Sequence, residues 1–221
     1  MPTKHKNTMV LCAHSDDQIF GVGGTIAKYA SNGWEVFTVI FSHGERSHPW
    51  LKRNVIAAIR VKEAQEADQI IGGNGVIFLG VKDHSMYQFL SGGIKDRKVI
   101  RRIAELIRKR RPQRIFTHSP DDPHPDHRAV YHASMAAVER SGVKCDLFSF
   151  DVWNLLGYKK RLKPVMYVDI SNTFSIKIRA LGCFKSQTFA MLSLLWSIYL
   201  KGVIYGLNSS CRFAEKFYKI R

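Results

Sequence analysis

Acidic residues are scarce in this chain: 18 Asp and Glu stand against 34 Lys and Arg, a formal net charge of +16 over 221 residues. A field of that sign favours anionic partners (phosphorylated or carboxylated sugars, acidic lipid headgroups, nucleic acid) and says nothing about fold. Cysteine is also sparse. Cys12, Cys145, Cys183 and Cys211 are far apart and form no CxxC pair, which argues against both a disulfide scaffold and a cysteine metal knot. The opening MPTKHKNT has no apolar leader, so the expectation is a reduced, cytoplasmic chain. No repeat, low-complexity tract or linker is visible, and a single domain over residues 1–221 is expected.

Long apolar runs are absent too. The most apolar stretch, about 189–205, reads FAMLSLLWSIYLKGVIY and is broken by Lys201 and Gly202, whereas a spanning helix needs about 20 apolar residues. A helix lying on a membrane, a buried helix and a contact between copies of the chain all remain open for it.

Strand-like and helix-like segments alternate, which predicts an α/β fold: a three-layer, Rossmann-like arrangement with a mainly parallel sheet flanked by helices. Strands are expected at Met9–Ala13, Val36–Phe41, Val76–Leu79, Arg114–Thr117, Leu147–Val152 and Val165–Ile170. Helices are expected at about Gly23–Asn32, Asn54–Ile71, Asp96–Arg111, from near Pro125, and over Thr173–Lys185, with the apolar tail helical to the end. In the third of these segments Val99, Ile100, Ile103, Leu106 and Ile107 keep helical spacing, while Arg108–Arg111 place cations at a helix C-terminus, where the dipole favours them. Contact with an acidic surface is the functional alternative for that run.

Two polar clusters follow predicted strands. His14-Ser15-Asp16-Asp17 follows the first, and Asp122-Pro123-His124-Pro125-Asp126-His127 follows the fourth. In open parallel sheets, ligands bind beyond the carboxyl ends of the strands. Adjacent carboxylates repel, so keeping Asp16 and Asp17 both ionised requires a cation or strong hydrogen bonds. Each cluster alone has a plain alternative: Ser15, Asp16 and Asp17 are good helix caps, and HPDH could be an exposed turn. Together they supply His, Asp and His, and three N/O ligands with an open fourth position are the arrangement of a catalytic zinc.

These residues resemble the LmbE/PIG-L family of zinc-dependent N-deacetylases. The resemblance rests on AHSDD with GVGGT downstream, on HPDH at His124–His127, on Arg60 and Glu63 in IRVKEAQEA, and on Lys185-Ser186-Gln187. Ser15 departs from the family's usual Pro. The resemblance implies Zn2+ held by His14, Asp17 and His127, with Asp16 as general base. It implies that His124 stabilises the oxyanion or protonates the leaving amine, and that Asp126 orients His124 and raises its pKa. The implied reaction is deacetylation of an N-acetylated amino sugar of the N-acetylglucosamine type, an acidic aglycone suiting the basic field, in a homo-oligomer. Arg60 resembles a substrate-contacting position; its alternative is an i,i+3 pair with Glu63. Glu45, after the second strand, and Gln187, near the end, are further substrate candidates. His118 is a candidate to sit behind the site; His43, His48, His84 and His132 read as surface or core histidines. GVGG lacks the GxGxxG form, which argues against nucleotide binding. Competing readings are a hydrolase of another N-acyl sugar, and a basic nucleic-acid or membrane binder with a vestigial metal site. No named nucleic-acid motif is present.

Overall fold

The computed structural model describes residues 6–46, 50–83, 86, 97–154 and 163–221; His48, His84 and Asp96 lie outside them. Seven strands are described: β1 (Asn7–Cys12), β2 (Glu35–Ile40), β3 (Val76–Phe78), β4 (Arg114–His118), β5 (Asp146–Phe150), β6 (Val165–Asp169) and β7 (Ala214–Lys219). The helices described are α1 (Asp17–Ser31), α2 (Arg53–Ile70), α3 (Arg97–Arg110), α4 (Pro125–Ser141), α5 (Phe174–Leu181) and α6 (Thr188–Leu207), with a 3-10 turn at Lys185–Gln187. The sheet runs β3-β2-β1-β4-β5-β7-β6. β1 pairs in parallel with both β2 and β4, while β7 is antiparallel to β5 and β6.

β1 shows why this is a three-layer fold. All six of its residues are buried, and alternate side chains serve opposite faces. Val10 and Cys12 join the apolar cluster under α1, α2, α5 and α6; Met9 and Leu11 join the one under α3 and α4. A strand buried on both sides reads as a continuous apolar run, which is how MVLC reads.

Two sequence expectations need correction. α1 begins at Asp17, six residues before the expected Gly23, so the second carboxylate of the first cluster sits in the helix's first turn, where the dipole favours it. The chain also does not end in helix: Ala214–Lys219 is a strand inserted between β5 and β6. Its Phe217 and Tyr218 are both buried and so hide the alternation that marks a strand.

The glycines of GVGG serve packing. A Cβ on Gly21 would lie 2.2 Å from the Phe150 ring, and one on Gly24 would lie 2.6 Å from Ile170. The close approach lets a buried ion pair reach the helix backbone. Lys177 Nζ donates to Glu215 at 2.6 Å and to the Phe20 carbonyl at 2.7 Å. The Glu215 carboxylate accepts from Gly24 N–H (3.0 Å) and Thr25 N–H (2.8 Å). The pair thus pins α1, α5 and β7 together.

Order within the sheet positions the site. The chain winds outward from β1 through β2 to β3, then returns to the other side of β1 as β4. The carboxyl ends of β1 and β4 therefore flank the point where the strand order reverses, and a crevice opens there.

Candidate metal centre

Both polar clusters meet in that crevice. The turn after β1 supplies His14, Ser15 and Asp16, and α1 supplies Asp17. The turn after β4 supplies Asp122 and His124, with Asp126 and His127 in the first turn of α4. This second turn is held by its own chemistry. His124 is the cap of α4, its Nδ1 accepting from Asp126 N–H at 3.2 Å. Pro125 stands at the first helical position, where its missing N–H costs nothing. Asp122 accepts from His124 N–H at 2.9 Å and from Val152 N–H at 3.3 Å, tying the turn to the loop after β5.

Candidate ligand atoms of His14, Asp17 and His127 all lie within 4.8 Å of one another. Asp17 is the hub. One oxygen is 3.3 Å from His127 Nε2; the other accepts from His14 N–H at 2.7 Å and lies 3.2 Å from His118 Nε2. His127 Nδ1 is 3.0 Å from Asp122. His14 Nε2 is 3.4 Å from Asp83 and 3.7 Å from Asp126.

The titration of these groups reflects their crowding. Burial disfavours a charged His127, yet Asp17 and Asp122 outweigh it and push the imidazole up to about 9. His14 is raised likewise: burial opposes its charge, but Asp126, Asp17 and Asp83 prevail. Burial resists ionisation of Asp17, but His127 and His118 hold its carboxyl well below the usual range. Asp122 is lowered to about 2, burial being overcome chiefly by His127. His118 falls to about 4 through burial and the neighbouring His127.

Asp126 acts on His124 in the expected, raising direction, but burial and the imidazoles of His14 and His127 outweigh it and the pKa falls to about 4. It is Asp126's backbone N–H that meets His124, leaving that carboxylate on the His14 side. With Nδ1 accepting, a neutral His124 carries its proton on Nε2.

The residues fit a divalent ion. Five carboxylates (Asp16, Asp17, Asp83, Asp122 and Asp126) are gathered here in buried positions. His127 Nε2 is buried 3.3 Å from the Asp17 carboxylate without an aligned hydrogen bond between them, so the two present ligand atoms to one point that a shared cation would satisfy. Two imidazoles and a carboxylate suit zinc, and Asp122 behind His127 is the usual carboxylate support of a metal-binding imidazole.

Arg60, Asp16, Asp83, His124, Trp153, Gln187 and Leu194 line the cleft beside the three candidate ligands His14, Asp17 and (through Asp17) His127. Arg60 is 3% exposed and does not pair with Glu63. Its Nε donates to Ser15 Oγ at 2.9 Å and its Nη2 to Asp16 at 3.3 Å. Glu63 instead accepts from Ser186 N–H (2.8 Å) and Oγ–H (2.6 Å), fastening the 3-10 turn and Gln187 to α2. Glu45 is not on the cleft wall; it accepts from Asp83 N–H at 3.0 Å and from Ser42 Oγ at 3.2 Å, bracing the loop that presents Asp83. His118 does stand behind the ligand set, its Nε2 accepting from Ala13 N–H at 3.0 Å. His43 stacks on Phe78 and His132 meets Tyr131 edge-on. Arg108, Arg110 and Arg111 line a groove with Asn7, Gln113 and Asp146, at the opposite end of the strands. Sequence reasoning missed Asp83. A lone acid in the loop after β3 has no motif, and its position at the sheet's carboxyl edge was the only available signal.

With the geometry in hand, comparison with known proteins is informative. The family model described as PIG-L: GlcNAc-PI de-N-acetylase matches residues 9–138, which include both turns. The diacetylchitobiose deacetylase of Thermococcus kodakarensis is 29% identical over 222 residues, covering 93% of this chain and 80% of that protein. The 4-oxalmesaconate hydratase of Pseudomonas putida is 26% identical over 220 residues, covering 91% and 80%. The crystal structure of the 4-carboxy-2-hydroxymuconate hydratase from Pseudomonas putida KT2440 superposes with a TM-score of 0.82 at 23% identity, over 98% of this chain and 96% of that one. At that identity the superposition shows the fold alone.

Proposed function

Because this chain belongs to the PIG-L (GlcNAc-PI de-N-acetylase) family, we propose that it is a zinc-dependent N-deacetylase acting on an N-acetylglucosamine-type sugar. One observation carries the reading: His14, Asp17 and His127, from two turns far apart in sequence, converge within 4.8 Å, beside a cleft walled by Asp16, Arg60 and His124. The sequence relative named for diacetylchitobiose deacetylation supports the substrate class.

A zinc ion held by His14, Asp17 and His127 would supply Lewis acidity and a water whose pKa is lowered to about 7. The protein's own groups do the rest. Asp16, with one oxygen held by Arg60, takes the water's proton as the oxygen adds to the acetyl carbonyl. The neutral His124 donates its Nε2 hydrogen to the developing oxyanion, a contact whose loss typically costs about 10²–10³-fold in rate. The proton then passes to the nitrogen as the C–N bond breaks, giving acetate and the free amino sugar. Arg60 and Gln187 hold the sugar or an acidic aglycone from the cleft wall.

The test is amine release from a panel of N-acetylglucosamine derivatives by zinc-loaded protein, with and without a chelator. No amine from any derivative, or release indifferent to the chelator, would sink the assignment. The relative named 4-oxalmesaconate hydratase supports a second reading, addition of water across the double bond of an unsaturated polycarboxylate. Loss of the substrate's ultraviolet absorbance with no amine release would select it.

A further inference from the structure

α6 presents an apolar face to solvent. Leu192 (68% exposed), Trp196 (49%), Tyr199 (44%), Val203 (43%) and Leu207 (76%) recur at three- and four-residue steps and so form one stripe. The opposite side is spoken for: Leu194, Ser197 and Ile198 are buried, and Gly202 packs close to Phe174 and Phe213. The helix contains no Asp or Glu and a single lysine, Lys201. Basic groups border it: exposed Lys185 before it, exposed Arg212 after it, and Lys216, whose Nζ lies 5.4 Å from the Tyr205 ring.

The N-terminal end of α6 borders the cleft through Gln187, just before the helix, and Leu194, on its buried side.

We propose that the α6 face docks on an anionic phospholipid surface. Tryptophan and tyrosine are the aromatic residues suited to the membrane interface, and an apolar stripe bordered by cations is the pattern of a helix lying in it. Among the described residues no helix is long and apolar enough to cross a membrane; the contact is lateral. The bordering cations Lys185, Arg212 and Lys216 favour a bilayer over a second copy of this face: an anionic leaflet attracts Lys and Arg within a Debye length, whereas the same cations would meet one another across a two-fold contact. The docking does not rest on the proposed deacetylase reading.

The experiment is sedimentation of the full chain with vesicles, either pure phosphatidylcholine or equal parts phosphatidylcholine and phosphatidylglycerol. Strong partitioning onto the anionic vesicles alone is expected, weakened at about 0.5 M NaCl. The double variant Leu192→Ser/Trp196→Ser should weaken it by about tenfold or more; both side chains are exposed, so the fold should persist. In the unsubstituted protein, brominated lipid should quench emission that the single variant Trp196→Phe lacks. Protein that stays in solution overturns the proposal, as does a double variant that binds undiminished. A dimer that the double variant splits, with vesicle binding unchanged, assigns the face to a second copy and also overturns it. Because vesicle binding is read without turnover, failure here and failure of the deacetylase reading are separable.

Discussion

Loading the site with zinc should release protons, by an amount set by the electrostatics of the ion-free cluster. A ligating imidazole must be neutral, yet His127 between Asp17 and Asp122 stays protonated up to about 9. At pH 7 the neutral form is then about one molecule in a hundred, so apparent zinc affinity lies about 100-fold, or roughly 2.7 kcal/mol, below its alkaline limit. From His127 alone it should climb about tenfold between pH 7 and 8 and flatten towards 9. His14, also raised by its carboxylates despite burial, steepens the slope. Calorimetric titration in two buffers of different ionisation enthalpy counts the protons, and competition with a chromophoric chelator gives the affinity. The variant Asp122→Asn separates two roles. It removes the support behind His127, costing about 10–100-fold in affinity at high pH. It also removes part of the hold on the proton, so the deficit should shrink towards pH 7. Proton release near zero at pH 7, with affinity flat across the range, would refute the reasoning.

Further outcomes follow from the same geometry. Asp16→Asn should cut amine release by about 10²–10⁴-fold while zinc affinity by chelator competition stays near the original; undiminished turnover would move the base elsewhere. The ion-free protein should lose stability as pH rises. The folded pKa of His127, about 9, exceeds the unfolded value of about 6.5, so its contribution is full below about 6.5 and lost through 9, roughly 3 kcal/mol by urea denaturation; a flat profile contradicts this. Lys177→Met should destabilise by about 3–5 kcal/mol, leaving Glu215 charged and buried, and lower the melting temperature by about 10 °C. Lys177→Met/Glu215→Gln should recover part of that loss, and a neutral single variant would count against the pair. Ser15→Ala removes the acceptor for Arg60 Nε, an interaction of about 1 kcal/mol. KM should rise about fivefold with zinc affinity unchanged, and an unaltered KM would show that Ser15 does not position Arg60.

Much of this was written locally. The buried run at Met9–Cys12, the apolar spacing from Val99 to Ile107, and the Pro125 start and Gly142 stop of α4 are near-neighbour features, and each specified its element. The two histidine–aspartate turns likewise announced themselves, because so many metal-ligating side chains rarely crowd into so few residues without a cation. Their meeting follows from β1 and β4 lying side by side, in the parallel register Thr8–Leu11 against Arg114–Thr117.

Other features depend on contacts between distant segments. The strand Ala214–Lys219 is defined by its neighbours β5 and β6, and its buried Glu215 has meaning only against Lys177 and the bare backbone at Gly24. Asp83 reaches His14 across 69 positions of chain, and Arg60 turns from its helix neighbour Glu63 to Ser15 and Asp16. The pKa of His124 falls although Asp126 pulls it upward as expected, because burial and two adjacent imidazoles, neither fixed by HPDH alone, outweigh that carboxylate. Backbone propensity, capping and ligand type act over a few residues and can be read along the chain. Desolvation and Coulomb interaction act through space, and their balance exists only once the segments are packed.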